Sequence, residues 1–424
     1  MVRESSYDFL RERNIIVLIS CRILWGLTQT LFHPYFSLFA LAQEGVTPEL
    51  LGLIISIRAV GTAVLAPLAG YMADSFGRKK MIFAGTALHA ISYLFYLAAT
   101  DFKMIFIGSL IEGLSVIHFP ALQAITQDSL TKNKRGLGVS TTTGLQALPG
   151  LVSPFIGGVL AERMGIDMGM RIGFALAFGM GLAVALIRLR FLRETLEGNA
   201  AEAQTGSIAS LVKESYASMF KLLKEYHGLR GLIILSIVDT FFGSITAPFW
   251  VVYAKTIIGL GTVEWGIIET TAAAINTFFL LFSGRFVDRY GSKRVMLANL
   301  LMAPAVNLSF IYCQSFQQVL LFRVLLATNN AFIMPAATAL LADMVPRERR
   351  GRATAAIGWQ PVIISLGAMS SGFFRFPPYF SGSALSGYVF SIDARLPWYL
   401  LAAGYASASV ICKFLIKEPR EPAD

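Results

Sequence analysis

The chain has 424 residues, of which 55% are hydrophobic and 15% are charged, and its mean hydropathy is +0.61. This balance excludes an ordinary soluble enzyme and predicts a chain that lies mostly within a membrane. The three cysteines lie in or at the edge of different apolar runs, so no disulfide framework or redox motif is expected; they are Cys21, Cys313 and Cys412.

Apolar runs long enough to cross a bilayer, about 20 residues each, fill most of the chain. They predict an all-α membrane protein of twelve helices, numbered in chain order, near residues 14–42, 48–73, 78–100, 102–128, 135–161, 168–190, 229–257, 262–287, 293–314, 316–342, 350–375 and 395–416. The first run is too long for a signal peptide and lacks a small-residue cleavage site, so no cleavable leader is expected.

The basic residues are distributed unevenly between the two sides of this predicted bundle. If the N-terminus is cytoplasmic, 27 of the 36 Lys and Arg lie on the cytoplasmic side, including Arg188 in the central connection. Six lie on the opposite side, Arg375 among them, and three lie within spans. Positively charged connections stay in the cytoplasm, which predicts a cell (plasma or inner) membrane protein with both termini cytoplasmic. The counterpart of the +10 net charge is then anionic lipid, and no nucleic acid is expected.

One basic turn occurs twice. Residues 70–80 read GYMADSFGRKK, and residues 284–294 read GRFVDRYGSKR, 214 residues later. Both follow the pattern Gly-x-x-x-Asp-x-x-Gly-x-(Lys/Arg)-(Lys/Arg). The pattern comprises Gly70, Asp74, Gly77, Arg78 and Lys79 in the first copy and Gly284, Asp288, Gly291, Lys293 and Arg294 in the second.

Other landmarks repeat at nearly the same distance. Pro34 corresponds to Pro248 at an offset of 214, and Pro120 to Pro335 at 215. A constant offset over six helices predicts two pseudo-symmetric six-helix bundles in the same orientation, residues 1–192 and 229–424. Residues 193–228 differ in composition and predict a cytoplasmic linker with a basic amphipathic helix on the membrane surface.

Twelve helices in two parallel halves, with this repeated turn, resemble the major facilitator superfamily of transporters, possibly of the drug/proton antiporter-like type. The resemblance covers essentially the whole chain. It implies a central cavity lined by helices 1, 4, 7 and 10, with help from 2, 5, 8 and 11, and alternating access by rocking of the halves. It also implies that Asp74 meets the start of helix 11 as a latch, with Asp288 as its mate at helix 5. The alternative is that the basic residues only fix topology.

Ionisable residues within spans are candidates for function, because they are costly in hydrocarbon and usually face a cavity or a partner. Glu112 and Asp239 are expected to lie deepest and could each carry a proton, whereas Glu269 could simply face water. The candidate residues for proton or ion coupling are Glu112, Asp239, Arg22, Arg58 and Arg323. Some of these charges could instead form structural ion pairs.

The motifs of proton-coupled exporters in this family are only partly present. Their helix 4 carries an Arg twelve residues before a Pro; Arg323 and Pro335 match this in the second half, but Gly108 precedes Pro120 in the first. The helix 5 pattern is met loosely by Ser153-Pro154-Phe-Ile-Gly157-Gly158, whose glycines could equally serve close helix packing.

Uncharged polar and aromatic residues near the middle of the spans could hold a polar solute in a cavity, although hydrogen bonding between helices would explain them as well. The candidate cavity residues are Trp25, Gln29, Gln146, Asn276, Asn330, Trp359 and Gln360. The four histidines lie on separate segments without ligand spacing, so no metal site is expected. No P-loop is present, which argues against ATP-driven transport.

These patterns predict a monomeric secondary active transporter of a small solute, without a cofactor, that is coupled to protons and resembles an exporter. A symporter or uniporter that takes up a metabolite is an alternative. A membrane sensor built on a transporter fold is a further alternative. No catalytic constellation is present, so the chain is not expected to be an enzyme.

Overall fold

A computed structural model describes residues 10, 12–130, 141, 144–145, 148–196, 225–346, 353, 356–357 and 372–416. The described parts of the chain are helices joined by short turns. The membrane-spanning helices are α1 Arg13–Leu41, α2 Pro48–Phe76, α3 Arg78–Leu97, α4 Phe102–Asp128, α5 Ser153–Met164, α6 Ile166–Phe191, α7 Gly228–Ile258, α8 Thr262–Tyr290, α9 Ser292–Phe310, α10 Phe316–Met344, α11 Phe376–Ile392 and α12 Leu396–Leu415. Eight of those described are long and apolar enough to cross a membrane by themselves.

Proline interrupts the first helix of each half at equivalent positions. In α1 the α-helical geometry gives way to a 3-10 turn at His33–Tyr35, which contains Pro34. In α7 the same change occurs at Ala247–Phe249, which contains Pro248. Proline has no N–H to donate and its ring clashes with the preceding turn, so an uninterrupted α-helix is disfavoured at both places. The duplication inferred from the sequence therefore extends to the local backbone.

The predicted end of helix 11 at residue 375 is wrong. A 3-10 turn at Phe373–Arg375 leads directly into α11, which continues to Ile392. Pro377 and Pro378 suggest a break, but they lie in the first turn of α11, where a missing N–H costs nothing. Most of the predicted span 350–375, and residues 197–224 of the predicted linker, lie outside the described residues.

The two halves pack against each other near one end of the bundle. This far end carries the short turns between α1 and α2, α5 and α6, α7 and α8, and α11 and α12. There α2 packs on α11 and α5 packs on α8. A Cβ on Gly266 would lie 2.7 Å from the Pro154 oxygen, so only glycine allows this approach of α8 to α5.

The opposite, basic end carries the two repeated turns, between α2 and α3 and between α8 and α9. Gly284 lies near this end of α8, and a Cβ added there would meet no atom within 4 Å. On the preceding turn, Leu281 is 73% exposed. The described contacts between the halves therefore lie toward the far end, and the structure is closed there.

Candidate transport site

An ion pair joins α2 and α4 in the first half. Arg58 Nη2 lies 3.0 Å from Glu112 Oε2, and the two side chains are 11% and 8% exposed. The helices approach closely because Gly113 follows Glu112, and a Cβ there would collide with the Arg58 carbonyl oxygen. Glycine at this position thus brings the two charges together.

A tyrosine on α3 completes the surroundings of the carboxylate. The Tyr96 hydroxyl donates to Glu112 Oε2 at 2.7 Å, so it must accept from Ser109 Oγ, 3.0 Å away. A Cβ on Gly108 would lie 2.7 Å from Tyr96 Cε1. Gly108 occupies the position at which the exporter motif has an arginine. The structure therefore places the Tyr96 ring over this glycine, and the guanidinium that pairs with Glu112 comes from Arg58 of α2.

The pair lies close to the middle of the membrane. Arg58 is ten residues from Pro48 at the far-end start of α2, and Glu112 is ten residues from Phe102 at the far-end start of α4. At about 1.5 Å per residue this depth is roughly 15 Å, half of the ~30 Å hydrocarbon core. His33 of α1, whose side chain is exposed, lies within electrostatic range of both charges.

A second polar network lies beside the pair and includes one predicted cavity residue, Gln29. The Gln29 amide donates to the Tyr93 hydroxyl, and His89 Nε2 lies 2.9 Å from that hydroxyl. On the other side of the ring, His89 Nδ1 lies 2.9 Å from Ser115 Oγ, which donates to the Glu112 carbonyl oxygen. The network thus links α1, through α3, to the backbone of Glu112.

Trp25 is buried against two histidines of the first half, His89 and His118. Its ring lies 4.6 Å from His89 and 6.0 Å from His118, between centroids. The Arg188 guanidinium lies 5.8 Å from the Trp25 ring. The structure therefore brings Trp25 to the packed interior next to Gln29.

Arg188 does not lie in the cytoplasmic connection, which corrects its predicted place. It is buried within α6, where Nη1 donates to Thr86 Oγ1 at 2.7 Å. The predicted span 168–190 already contains Arg188, so counting this residue with the basic residues of the connection that follows α6 was wrong. Arg22, one of the predicted coupling residues, is buried on α1 within electrostatic range of Arg188.

The second half has a corresponding ion pair. Arg323 Nη2 of α10 lies 2.5 Å and 2.6 Å from the two oxygens of Glu269 on α8. The interpretation that Glu269 simply faces water is therefore wrong. The Glu269–Arg323 pair joins α8 and α10, which are the pseudo-symmetric equivalents of α2 and α4, the helices joined by Arg58 and Glu112. The pair lies seven residues from the far-end starts of both helices, about one turn nearer that end than the first pair.

Asp239 has a partner that the sequence did not reveal. Arg375 Nη2 lies 3.4 Å from Asp239 Oδ2, and the Tyr405 hydroxyl donates to Oδ1 at 2.9 Å. Arg375 Nε also donates to Thr240 Oγ1 at 2.5 Å. The predicted end of helix 11 at residue 375 places Arg375 in a connection, whereas its side chain is 1% exposed in the structure. This group ties α7 to α11 and α12 in the interior of the second half.

Each repeated turn has a glycine that joins two helices. Gly77 has φ of +94° and Gly291 has φ of +88°, in the region that disfavours other residues. The first glycine of each copy lies within a helix, Gly70 within α2 and Gly284 within α8. In the first copy Lys79 N donates to Glu194 Oε2 at 2.9 Å, which caps the start of α3.

The aspartates of the turns differ in their surroundings. Asp74, with a 57% exposed side chain, lies 3.5 Å from Arg78, which also pairs with Asp128 at the end of α4. In the second copy Asp288 is exposed, as is Arg294. Lys293 Nζ donates to the Lys413 carbonyl oxygen of α12 at 3.1 Å. The proposed meeting points at the starts of helices 11 and 5 lie outside the described residues.

The remaining predicted cavity residues are only partly described. Asn276 and Asn330 are half-buried on α8 and α10, and the neighbouring Asn329 donates to the Asn299 carbonyl oxygen at 3.2 Å. Gln146, Trp359 and Gln360 lie outside the described residues. Among the residues that are described, no group of three His, Cys, Asp or Glu could hold a metal ion.

Known proteins share both the sequence pattern and the architecture. Residues 18–238 and 232–424 each match the family model described as Major Facilitator Superfamily. The chain is 25% identical over 386 residues to the "Multi-drug resistance efflux pump PmrA homolog" of Lactococcus lactis subsp. lactis, covering 89% of each protein. It is 24% identical over 355 residues to the "Tetracycline resistance protein, class G" of Vibrio anguillarum, covering 81% of this chain and 84% of that protein.

A solved structure, the "Crystal structure of D-xylose-proton symporter", superposes with a TM-score of 0.72 at 16% identity, covering 97% of this chain and 99% of that one. This likeness shows the fold, and the predictions of an all-α membrane protein and of a transporter rather than an enzyme are confirmed. The chain therefore belongs to the Major Facilitator Superfamily of membrane transporters.

Proposed function

We propose that the chain exports a small organic solute in exchange for protons by alternating access. The observation that carries this proposal is the Arg58–Glu112 pair, which is buried near mid-membrane between α2 and α4. The names of the multidrug efflux and tetracycline resistance relatives support export. These relatives support the proposed cargo class, and the geometry of the pair supports the proposed proton site.

Glu112 is the proposed proton site. It is the acidic member of a pair at roughly half the membrane depth, within range of the exposed His33. Its Oε2 accepts from both Tyr96 and Arg58, so removing its charge changes two contacts at once. Asp239 is proposed to be structural, because three helices enclose it and its side chain is 0% exposed. Arg22 and Arg323 are likewise assigned to the packing of their halves.

The position of Arg58 suggests how protonation acts on the conformation. A proton on Glu112 removes the negative charge opposite Arg58, and a guanidinium in a low-dielectric site is costly without that compensation. Tyr379 of α11 lies within electrostatic range of Arg58, across the contact between the halves. Protonation therefore favours a conformation in which Arg58 gains water or another partner. This conformation requires the far-end contact between α2 and α11 to loosen.

The proposal includes an orientation of the protein in the membrane. The basic end is placed in the cytoplasm, together with both termini, because positively charged connections remain inside. The structure, closed at the far end, then corresponds to the inward-open state of a monomer in the bilayer. The repeated turns, with Asp74 and Asp288, are proposed to latch the cytoplasmic side in the outward-open state.

Reconstitution into liposomes tests the proposal. Flux of a panel of organic cations, neutral drugs and sugars is measured with and without a proton gradient, while internal pH is followed with a dye. Solute movement with proton movement in the opposite direction supports exchange. Proton movement in the same direction as the solute would assign the chain to symport. Flux that no gradient stimulates would contradict coupled transport altogether.

A further inference from the structure

The start of α8 is capped by a side chain from the other half of the protein. Glu162, near the end of α5, accepts a hydrogen bond at Oε2 from Val263 N at 2.9 Å. The Thr262 hydroxyl lies 3.0 Å from the same oxygen. A carboxylate that accepts from an N–H in the first turn of a helix performs the role of an N-cap side chain.

The N-cap residue of α8 cannot perform this role itself. It is Gly261, in the extended conformation with φ of −70° and ψ of 161°, and it has no side-chain oxygen. The equivalent residue of α2, 214 positions earlier, is Thr47, whose side chain accepts from Leu50 N within the same half. A Cβ on Gly261 would lie 3.0 Å from Glu162 Oε2. Glycine therefore leaves room for the carboxylate of the other half.

The contact lies in the closed far end. Gly158, one turn before Glu162, packs against the Thr262 carbonyl oxygen, and the Tyr35 hydroxyl donates to the Pro154 carbonyl oxygen at 2.6 Å. At the pseudo-symmetric contact between α2 and α11, the Glu49 carboxylate lies within electrostatic range of Ser391. Each contact between the halves thus has a glutamate close to a polar residue of the other half, and Glu162 forms a hydrogen bond across its contact.

We propose that Glu162 is a gating residue that holds the far end closed by capping α8 across the two halves. This inference rests on the proposed alternating access. When α5 and α8 separate, α8 loses the Val263 bond and retains only the internal bond from Gly261 N to Glu264, at 2.8 Å. Each opening of the far end therefore exposes an uncapped helix start. Because Glu162 is exposed to solvent, the expected effect is moderate, about 3- to 10-fold in the conformational equilibrium.

The experiment measures the far-end opening directly. Spin labels at Glu44→Cys, in the turn after α1, and at Ile392→Cys, the last residue of α11, report the distance between the halves in nanodiscs; both positions are exposed at the far end. Cys313→Ser removes the partly exposed native thiol. Glu162→Ala is expected to increase the far-end-open population about 3- to 10-fold. Neither solute nor a proton gradient is present, so the result does not depend on the proposed proton coupling.

Two further variants separate gating from helix stability. Glu264→Ala removes a cap bond that lies within the second half and should leave the distance distribution unchanged. Gly261→Ser, added to Glu162→Ala, restores a cap to α8 without joining the halves, so the far end should remain as open as in Glu162→Ala alone. The proposal is overturned if Glu162→Ala has no effect, if Glu264→Ala opens the far end equally, or if Gly261→Ser restores closure.

Discussion

Arg58 of α2 and Glu112 of α4 lie 3.0 Å apart at equal depth, each ten residues from the far-end start of its helix. The equivalent helices of the second half, α8 and α10, carry Glu269 and Arg323 with the charges exchanged. Both halves therefore use the same helix pair for an ion pair, but with opposite polarity and one turn apart. This difference between two otherwise duplicated halves is what distinguishes Glu112 as the proposed proton site.

Glu112→Gln is expected to abolish proton-driven accumulation while retaining exchange of solute across the membrane. The amide keeps the size of the side chain and can still accept from Tyr96, but it cannot gain or lose a proton at neutral pH. We expect gradient-driven flux to fall at least about 100-fold, whereas counterflow without a gradient falls less than about 10-fold. Both are measured in liposomes with the same solute.

Glu269→Gln is the matched variant for this measurement. It neutralises the equivalent pair of the second half, at the shallower position, and should leave proton-driven flux largely intact. If Glu269→Gln abolishes proton coupling and Glu112→Gln does not, the proton site belongs to the second half.

Removing one member of the first pair should destabilise the protein more than removing both. Arg58→Met leaves the Glu112 carboxylate buried without its cation, and loss of one partner of a buried pair costs about 3–5 kcal/mol. The double variant Arg58→Met/Glu112→Leu leaves no uncompensated charge and should recover most of that loss. Thermal unfolding in detergent compares the variants, and a double variant no more stable than Arg58→Met would contradict this account.

The sequence predicted the fold because its main determinants are periodic and local. Runs of apolar residues specify helices, and the basic turns specify orientation. Two of the glycines in those turns, Gly77 and Gly291, have positive φ values, which explains why glycine occurs at these positions of the pattern. Even the incomplete exporter motif has a structural explanation, because Gly108 makes room for the Tyr96 ring.

Partners across helices were harder to predict because they depend on packing. Arg375 and Arg188 are ordinary basic residues near the ends of apolar runs, and only the burial of their neighbours places them in the interior. The pairing of Glu269 with Arg323 likewise joins residues 54 positions apart. The sequence did contain one signal for the helix that follows Arg375. A Pro-Pro pair such as the one that starts at residue 377 can begin a helix as readily as end one.

Asp239→Asn is expected to lower stability without removing proton coupling. The amide keeps a hydrogen bond to the Tyr405 hydroxyl but no longer neutralises Arg375, whose side chain is 1% exposed. We expect a loss of about 3 kcal/mol or more in unfolding free energy. Proton-driven flux per folded molecule should stay within about threefold of the unmodified protein. Loss of coupling in a folded Asp239→Asn protein would make this residue a proton site.

Gly77→Ala and Gly284→Ala should differ although both glycines belong to the repeated turn. Gly77 has φ of +94°, so alanine there is strained by about 1–3 kcal/mol. Gly284 lies within α8, and an added methyl group would meet open space in this conformation. Gly284→Ala should therefore retain thermal stability, whereas Gly77→Ala lowers it. Equal losses in both variants would contradict this distinction.

Asp74→Asn and Asp288→Asn test the latch. In the far-end-closed structure Asp74 has a 57% exposed side chain and Asp288 is exposed, so neither substitution should reduce the stability of this conformation. If both aspartates act when the basic end closes, the variants should shift the equilibrium about 3- to 10-fold toward the far-end-closed state. The spin-label pair at positions 44 and 392 reports this shift.

Asp128→Asn is the control for the latch, because Asp128 already pairs with Arg78 in the far-end-closed structure. Its neutralisation should weaken this conformation, a shift opposite to the one expected for Asp74→Asn, or leave the equilibrium unchanged, and in neither case should it favour the far-end-closed state. An Asp74→Asn protein with an unaltered distance distribution and unaltered flux would remove the latch and leave the basic turn with a role in topology alone. A shift in the same direction for Asp74→Asn and Asp128→Asn would instead indicate that the local network around Arg78 acts as a unit.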